Sequence, residues 1–185
     1  MSYQEDYDRY EIINGEVYMR SIPVLNHQRI VSNILRIFNN YLDDKDDEVF
    51  YNIDTFFDKD NQYMPDIVVV CNPNIIKEDG IHGVPNLVVE VISKTTASRD
   101  RNEKFVKYEQ YGVKEYWIVD PFMKCVEVYH LKDSKFLKSA ICQIYTDREI
   151  RLLSERDKAE IVSEIKVSLY DDFVIQLKDI FKRVT

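Results

Sequence analysis

NLVVEVIS, residues 86–93, holds five aliphatic residues in eight and reads as a strand buried on both faces. Glu90 interrupts it. A lone carboxylate in such a place costs several kcal/mol to desolvate unless a partner offsets the charge. The identity of that partner decides both the fold around the strand and what the chain does.

Working outward, EYWIVDP (115–121) is a second buried strand, stopped by Pro121, and MPDIVVVC (64–71) a third, entered through Met64-Pro65-Asp66. KCVEVYHLK (124–132) alternates as an antiparallel strand should. YEIINGEVY (10–18) reads as a hairpin turning at Asn14-Gly15. HQRIVSNILRIFNNYL (27–42) spaces its apolar residues as an amphipathic helix, with Asn26 a candidate N-cap. VFYNIDTFFDK (49–59) is read as one strand, and Gly80 and Gly83 mark the loop that leads to residue 86. SRDRNEKFVKYEQYG (98–112) is a helix with a glycine C-cap. FLKSAICQIY and EIVSEIKVSL suggest further short strands, and LYDDFVIQLKDIFKRV a closing amphipathic helix. The order implies a mixed α/β core, a central mixed sheet flanked by helices with strands added at both ends.

At 185 residues the chain is expected to be one domain, 1–185, with 45 % hydrophobic and 31 % charged residues, as in ordinary globular proteins. No apolar run approaches the roughly 20 residues of a membrane helix, and the first residues lack a signal-peptide pattern, so a cytoplasmic location is expected. Cys71, Cys125 and Cys142 have no paired spacing and read as buried thiols rather than ligands. The net charge of −8 weighs against a protein that coats nucleic acid but not against a nuclease with a local basic surface. The acid-rich stretches are residues 1–16 and 43–48, whereas 94–107 carries five Lys/Arg against Asp100 and Glu103.

Asp66 and Glu90 lie on strands that can neighbour one another. Alone, Asp66 reads better as a strand-entry residue capping its own turn, and Glu90 equally as the partner of a buried Arg or Lys or as a residue on a solvated pleat. Together they suit Mg²⁺ or Mn²⁺, which prefer carboxylate oxygens. Phosphodiester cleavage also needs a cation near the attacked phosphate. Lys94 shares a strand face with Glu90, and the next helix offers Lys104, with Tyr108 and Tyr111 on its side. Either lysine would otherwise be ordinary solvent-exposed surface.

These motifs resemble the PD-(D/E)xK nuclease superfamily and, more closely, the bacterial Uma-type family of restriction-endonuclease-like proteins. The residues that carry the resemblance are YEIINGE (10–16), His27-Gln28, MPD (64–66), VEVISKTT (89–96), Glu103-Lys104 and GVKEYWIVDP (112–121). It covers about residues 8–130. It implies a restriction-endonuclease-like core, with Asp66, Glu90 and the Val91 carbonyl holding Mg²⁺ or Mn²⁺. It further implies attack by metal-activated water on DNA, with inversion and no covalent intermediate. The superfamily's lysine two residues past the acid is here Ile92, so the resemblance passes the basic role to Lys104. Where the family often has proline this chain has Lys94, which marks Lys94 as the lesser candidate. Glu16, His27 and Gln28 are secondary candidates for a second metal or a positioned water. Arg99, Arg101 and Lys107, with Lys104, would form a nucleic-acid-binding helix face, and Trp117 belongs to the core. A homodimer paired through edge strands near 124–145 would supply two sites for two strands. The competing readings are a non-catalytic DNA- or protein-binding module of the same fold, with Glu90 held by Lys104 as an ion pair, and a hydrolase of nucleotides or RNA.

Overall fold

The computed structural model describes residues 10–20 and 22–185. The acidic N-terminal stretch therefore lies, up to position 9, outside the described residues. β1 (Tyr10–Ile13) and β2 (Glu16–Met19) form the expected hairpin. Asn14 and Gly15 both take positive φ, 54° and 78°, the turn whose twist matches paired strands.

α1 (Leu25–Leu42) buries Ile30, Val31, Ile34, Phe38 and Leu42 on one stripe. Its N-cap is Val24, not Asn26, and makes no side-chain cap bond. The Asn26 amide instead donates to the Thr185 carbonyl at 2.6 Å, because the chain's last residues pack over the helix start.

The run 49–59 is two strands, not one. β3 (Glu48–Tyr51) and β4 (Thr55–Asp58) enter different sheets. The break is Asn52, at φ 47°, a left-handed position that asparagine tolerates better than most residues. β5 (Asn61–Tyr63) and β6 (Ile67–Val70) follow, then a 3₁₀ turn at Pro73–Ile75 and two short strands inside the expected loop, β7 (Ile76–Lys77) and β8 (Gly80–His82). Gly80 permits the β4–β8 pairing. A Cβ there would lie 2.3 Å from the Asp54 carbonyl oxygen, and its φ is 147°.

β9 (Leu87–Val91) precedes a helix that the sequence read as continuous but that is divided into α2 (Ala97–Arg101) and α3 (Glu103–Tyr111). At the break, Asn102 turns its side-chain amide back onto the Ser98 carbonyl, at 2.7 Å, a local alternative to helical continuation. Gly112 caps α3 at φ 86°, as expected. β10 (Glu115–Asp120), β11 (Cys125–Lys132) and β12 (Lys135–Gln143) complete the central strands.

Beyond them, α4 (Asp147–Leu152) and α5 (Glu155–Ala159) fill the stretch between the two runs read as short strands, both of which do contain strands. Thr146 and Glu149 form a capping box on α4, and Ser154 caps α5. β13 (Glu164–Lys166) pairs with β14 (Val174–Gln176), so the expected tail helix shrinks to α6 (Leu177–Ile180). The β-branched Val174-Ile175 pair favours that strand.

Among the described residues the central sheet runs β12-β11-β10-β9-β6-β3, and a second mixed sheet runs β2-β1-β5-β4-β8-β7. β9 and β10 are parallel, and β6 lies antiparallel to β9. One face of the central sheet packs Ile67, Val69, Val89, Trp117 and Val119 against α1 and the C-terminal residues. The other packs Val68, Val70, Val88, Tyr116 and Ile118 with Tyr63 of the second sheet and Tyr108 of α3. This is a mixed α+β fold. No helix among the described residues is long and apolar enough to cross a membrane.

Candidate active site

The pairing of β6 with β9 sets the site. Its register, Ile67↔Val89 and Val68↔Val88, extends one step to bring Asp66 opposite Glu90. Opposite residues in an antiparallel pair share a face, with Cβ atoms about 5 Å apart. One step further, Pro65 stands opposite Val91. Proline has no N–H, so it cannot complete the ladder to the Val91 carbonyl. The Val91 N–H turns instead to Asp66 Oδ2, at 2.8 Å. The proline before Asp66 thus ends the ladder where the two acids begin.

Glu90 finds its partners in α3. Its Oε1 accepts from Lys104 Nζ at 2.9 Å and from the Tyr108 hydroxyl at 2.7 Å. Among the described residues Oε2 receives no hydrogen bond. Lys104 is buried and is shared: Nζ lies 2.7 Å from Glu11 Oε1 on β1 and 3.7 Å from Asp100 Oδ1 on α2. One ammonium therefore faces three buried carboxylates. Burial alone would lower the lysine's proton affinity, but Glu90, Glu11 and Asp100 together raise it above the ordinary range. For Glu90 burial wins over Lys104, and its carboxyl is pushed up to about 8, with Asp100, Asp66 and Glu11 adding to the shift. Asp100 is raised by burial too.

Asp66 is held in the opposite sense. Burial opposes its ionisation, but His27, the Val91 N–H and Arg20 bring its carboxyl below the ordinary range. Arg20 Nη2 donates to Oδ1 at 3.2 Å. His27 Nε2 lies 3.2 Å from the same oxygen, within ion-pair range but outside good hydrogen-bond geometry, and it is otherwise unpartnered among the described residues.

Asp66, Glu90, Val91, Lys104 and His27 thus come together, and Lys104 rather than Lys94 reaches Glu90. The Lys94 ammonium lies 5.6 Å from the centre of the Phe122 ring. Glu16 is exposed on β2 and accepts from the Tyr18 hydroxyl, and Gln28 makes no side-chain hydrogen bond among the described residues. Of the basic residues, Arg99 stacks over Tyr18 at 4.3 Å and Arg101 is tied to Glu127 at 2.7 Å. Lys107 is half-buried on α3 and makes no ion pair among the described residues. Tyr111 points away, to Asp58.

Glu11, Asp100, Arg20 and Tyr108 were not read from sequence as site residues. Glu11 left a signal: it shares a β1 face with buried Ile13, so it is an acid in an inward register, like Glu90. Asp100 stands one helical turn before Lys104 in the sequence. Arg20 left none, since it lies in an aperiodic linker.

No group of three or more His, Cys, Asp or Glu side chains among the described residues has the geometry of a metal cluster. A site of two carboxylates and one carbonyl is a different class. Mg²⁺ is usually held by one or two carboxylates, its remaining ligands being water and phosphate oxygens. The free Glu90 Oε2, the unladdered Val91 carbonyl and the crowding of buried carboxyl groups fit such an ion.

The chain has relatives by sequence and by fold. It is 30 % identical over 130 residues to the uncharacterized protein slr1290 of Synechocystis sp., covering 68 % of each chain. A second uncharacterized Synechocystis protein, sll1609, is 27 % identical over 127 residues, 66 % of this chain and 72 % of that one. The fold matches the crystal structure of a putative nuclease belonging to DUF820 from Anabaena variabilis. The TM-score is 0.68 at 17 % identity, over 99 % of this chain and 95 % of that one. The model of the Uma2 family, described as "Putative restriction endonuclease", matches residues 1–155, which include every residue of the site above. The chain belongs to the Uma2 family of restriction-endonuclease-like proteins.

Proposed function

We propose that the protein is a divalent-metal-dependent DNA endonuclease. The observation that carries the reading is that the β6–β9 register, continued one step, sets Asp66 opposite Glu90, with Lys104 seated on Glu90. Asp66, Glu90 and the Val91 carbonyl would hold Mg²⁺ or Mn²⁺. Such an ion, when bound, polarises the phosphate and lowers the pKa of its water.

The chain's own residues supply the rest. Lys104 stays protonated and places a positive charge beside the reacting phosphate, where it stabilises the negative charge of the transition state. Glu11 and Asp100 hold that lysine, and Tyr108 fixes the rotamer of Glu90. Asp66, kept ionised, is the anchoring ligand. Two carboxyls on one face with proton affinities pushed apart is a recurrent mark of acid–base chemistry. Arg20 and His27, both against Asp66 Oδ1, are placed to bind a phosphate at this end of the sheet. Cutting both strands of a duplex would take two such sites, supplied by a homodimer.

A second reading has one observation of its own. Lys104 neutralises Glu90 without any metal, as it would in a non-catalytic module that keeps the fold to bind DNA or protein.

Incubation of plasmid, linear duplex, single-stranded and forked DNA with the wild type in Mn²⁺, Mg²⁺ or chelator separates the two. Cleavage that needs the ion, and that falls at least about 100-fold in folded Asp66→Asn and Glu90→Gln, supports the nuclease. Folded protein that neither cuts DNA nor responds to either ion supports the module.

A further inference from the structure

The loops after β9 and β10 leave the central sheet at one end, because the strands are parallel with Val91 beside Val119. Glu90 and Val91 are at that end. So are Phe122 and Met123, 68 % and 57 % exposed. They are not on a loose loop. Asp120 Oδ1 accepts from the N–H groups of both, at 2.8 and 3.0 Å, an Asx turn that fixes the backbone presenting them. Lys94, from the neighbouring loop, sets its ammonium over the Phe122 ring.

Three of the cations around the site are held by carboxylates, while Lys94 and Lys107 make no ion pair among the described residues. Lys104 is held by Glu11 and Glu90, Arg20 by Asp66, and Arg101 by Glu127. In a chain of net charge −8, with Lys104, Arg20 and Arg101 held by its own carboxylates, phosphate contacts alone give limited affinity from counterion release. Nucleic acid with unpaired bases offers another contact, because every base has a face that stacks on an aromatic side chain.

We infer that Phe122 and Met123, with Lys94 beside Phe122, form a stacking platform for unpaired bases at the same end of the sheet as the acids. The substrate class is then DNA with single-stranded character at the point of cleavage, such as a flap or splayed fork, rather than uninterrupted duplex. The inference rests on the nuclease reading and narrows it.

The test is binding of labelled single strand, splayed fork and duplex of one sequence by fluorescence anisotropy. It is run in Ca²⁺ without Mg²⁺ or Mn²⁺, for the wild type, Phe122→Ala and Phe122→Trp. Wild-type preference for unpaired DNA by about tenfold or more, lost in Phe122→Ala and kept in Phe122→Trp, is the expected result. Equal or tighter binding of duplex, an equal loss on all three, no loss in Phe122→Ala, or no binding by the wild type would overturn it. So would a change of sedimentation coefficient in Phe122→Ala without a change in DNA affinity, which would make the turn a contact between copies. Cleavage is read separately in Mn²⁺. Unpaired preference without cleavage leaves the platform and removes the nuclease; cleavage of duplex untouched by Phe122→Ala does the reverse.

Discussion

Lys104 sits closer to Glu11 than to Glu90, with Nζ 2.7 Å from the first carboxylate and 2.9 Å from the second. The ammonium is thus a bolt between the two sheets as well as a neighbour of the metal-binding candidates. Lys104→Met would strand Glu11, Glu90 and Asp100 together in low dielectric. Breaking a buried pair by removing one partner costs about 3–5 kcal/mol. Urea unfolding in chelator at neutral pH should show a loss of that size. A loss under about 1 kcal/mol would mean that the three acids are satisfied without the lysine.

Glu90 ties stability to pH in a definite direction. Its carboxyl is pushed up to about 8 in the folded chain by burial, against about 4.3 for a free glutamate. The native state therefore holds a proton that the unfolded state has released. That contribution is fully present below about pH 4.3 and is lost as pH rises to about 8. Glu90→Gln should gain on the wild type across that window in chelator, and the two curves should run parallel above it. A glutamine variant that falls behind as pH rises would show that Glu90 is ionised and net stabilising against Lys104.

Glu127 predicts the opposite slope. Burial opposes its charge, but hydrogen bonds from Lys138, Tyr129 and Arg101 lower its carboxyl to about 2. Its contribution is present above about pH 4.3 and disappears as pH falls toward 2. Glu127→Gln should cost about 1–3 kcal/mol at pH 7 and nothing near pH 2, as read from thermal unfolding across the acid limb. A pH-independent cost would point to packing instead.

Arg20 donates to Asp66 Oδ1, so on the proposed reading it would compete with a bound ion for that carboxylate. Asp66→Asn should abolish the stabilisation by Mn²⁺, which is about 2.7 kcal/mol at 100 times the dissociation constant. Arg20→Met, by freeing Asp66 Oδ1, should tighten Mn²⁺ binding several-fold in the same melting experiment. Unchanged or weaker binding in Arg20→Met would show that the guanidinium does not compete with the ion.

The central strands were legible because their residues are dictated locally. IVVV and LVVEV have no polar face to offer water, and both are buried throughout. Asp66, Glu90 and Lys104 stood out as charges in or beside such runs. The division of residues 48–58 between two sheets was not legible, because it depends on Asn52 adopting one rare backbone angle. Nor was Glu90's full company. Glu11 is 79 positions away in sequence, and only sheet packing brings it to Lys104. The two helices after β12 could have been read: Thr146 with Glu149 and Ser154 with Asp157 are helix-start signatures in plain sequence.

The covering of α1 by Phe173, Leu177, Ile180, Phe181 and Val184 has a consequence for how the chain comes into being. The helix leaves the ribosome early, while the segment that shields it is made after both sheets. At about 5–20 residues per second, its apolar stripe waits on the order of ten seconds for that cover. Until then the nascent chain is a natural client for a chaperone.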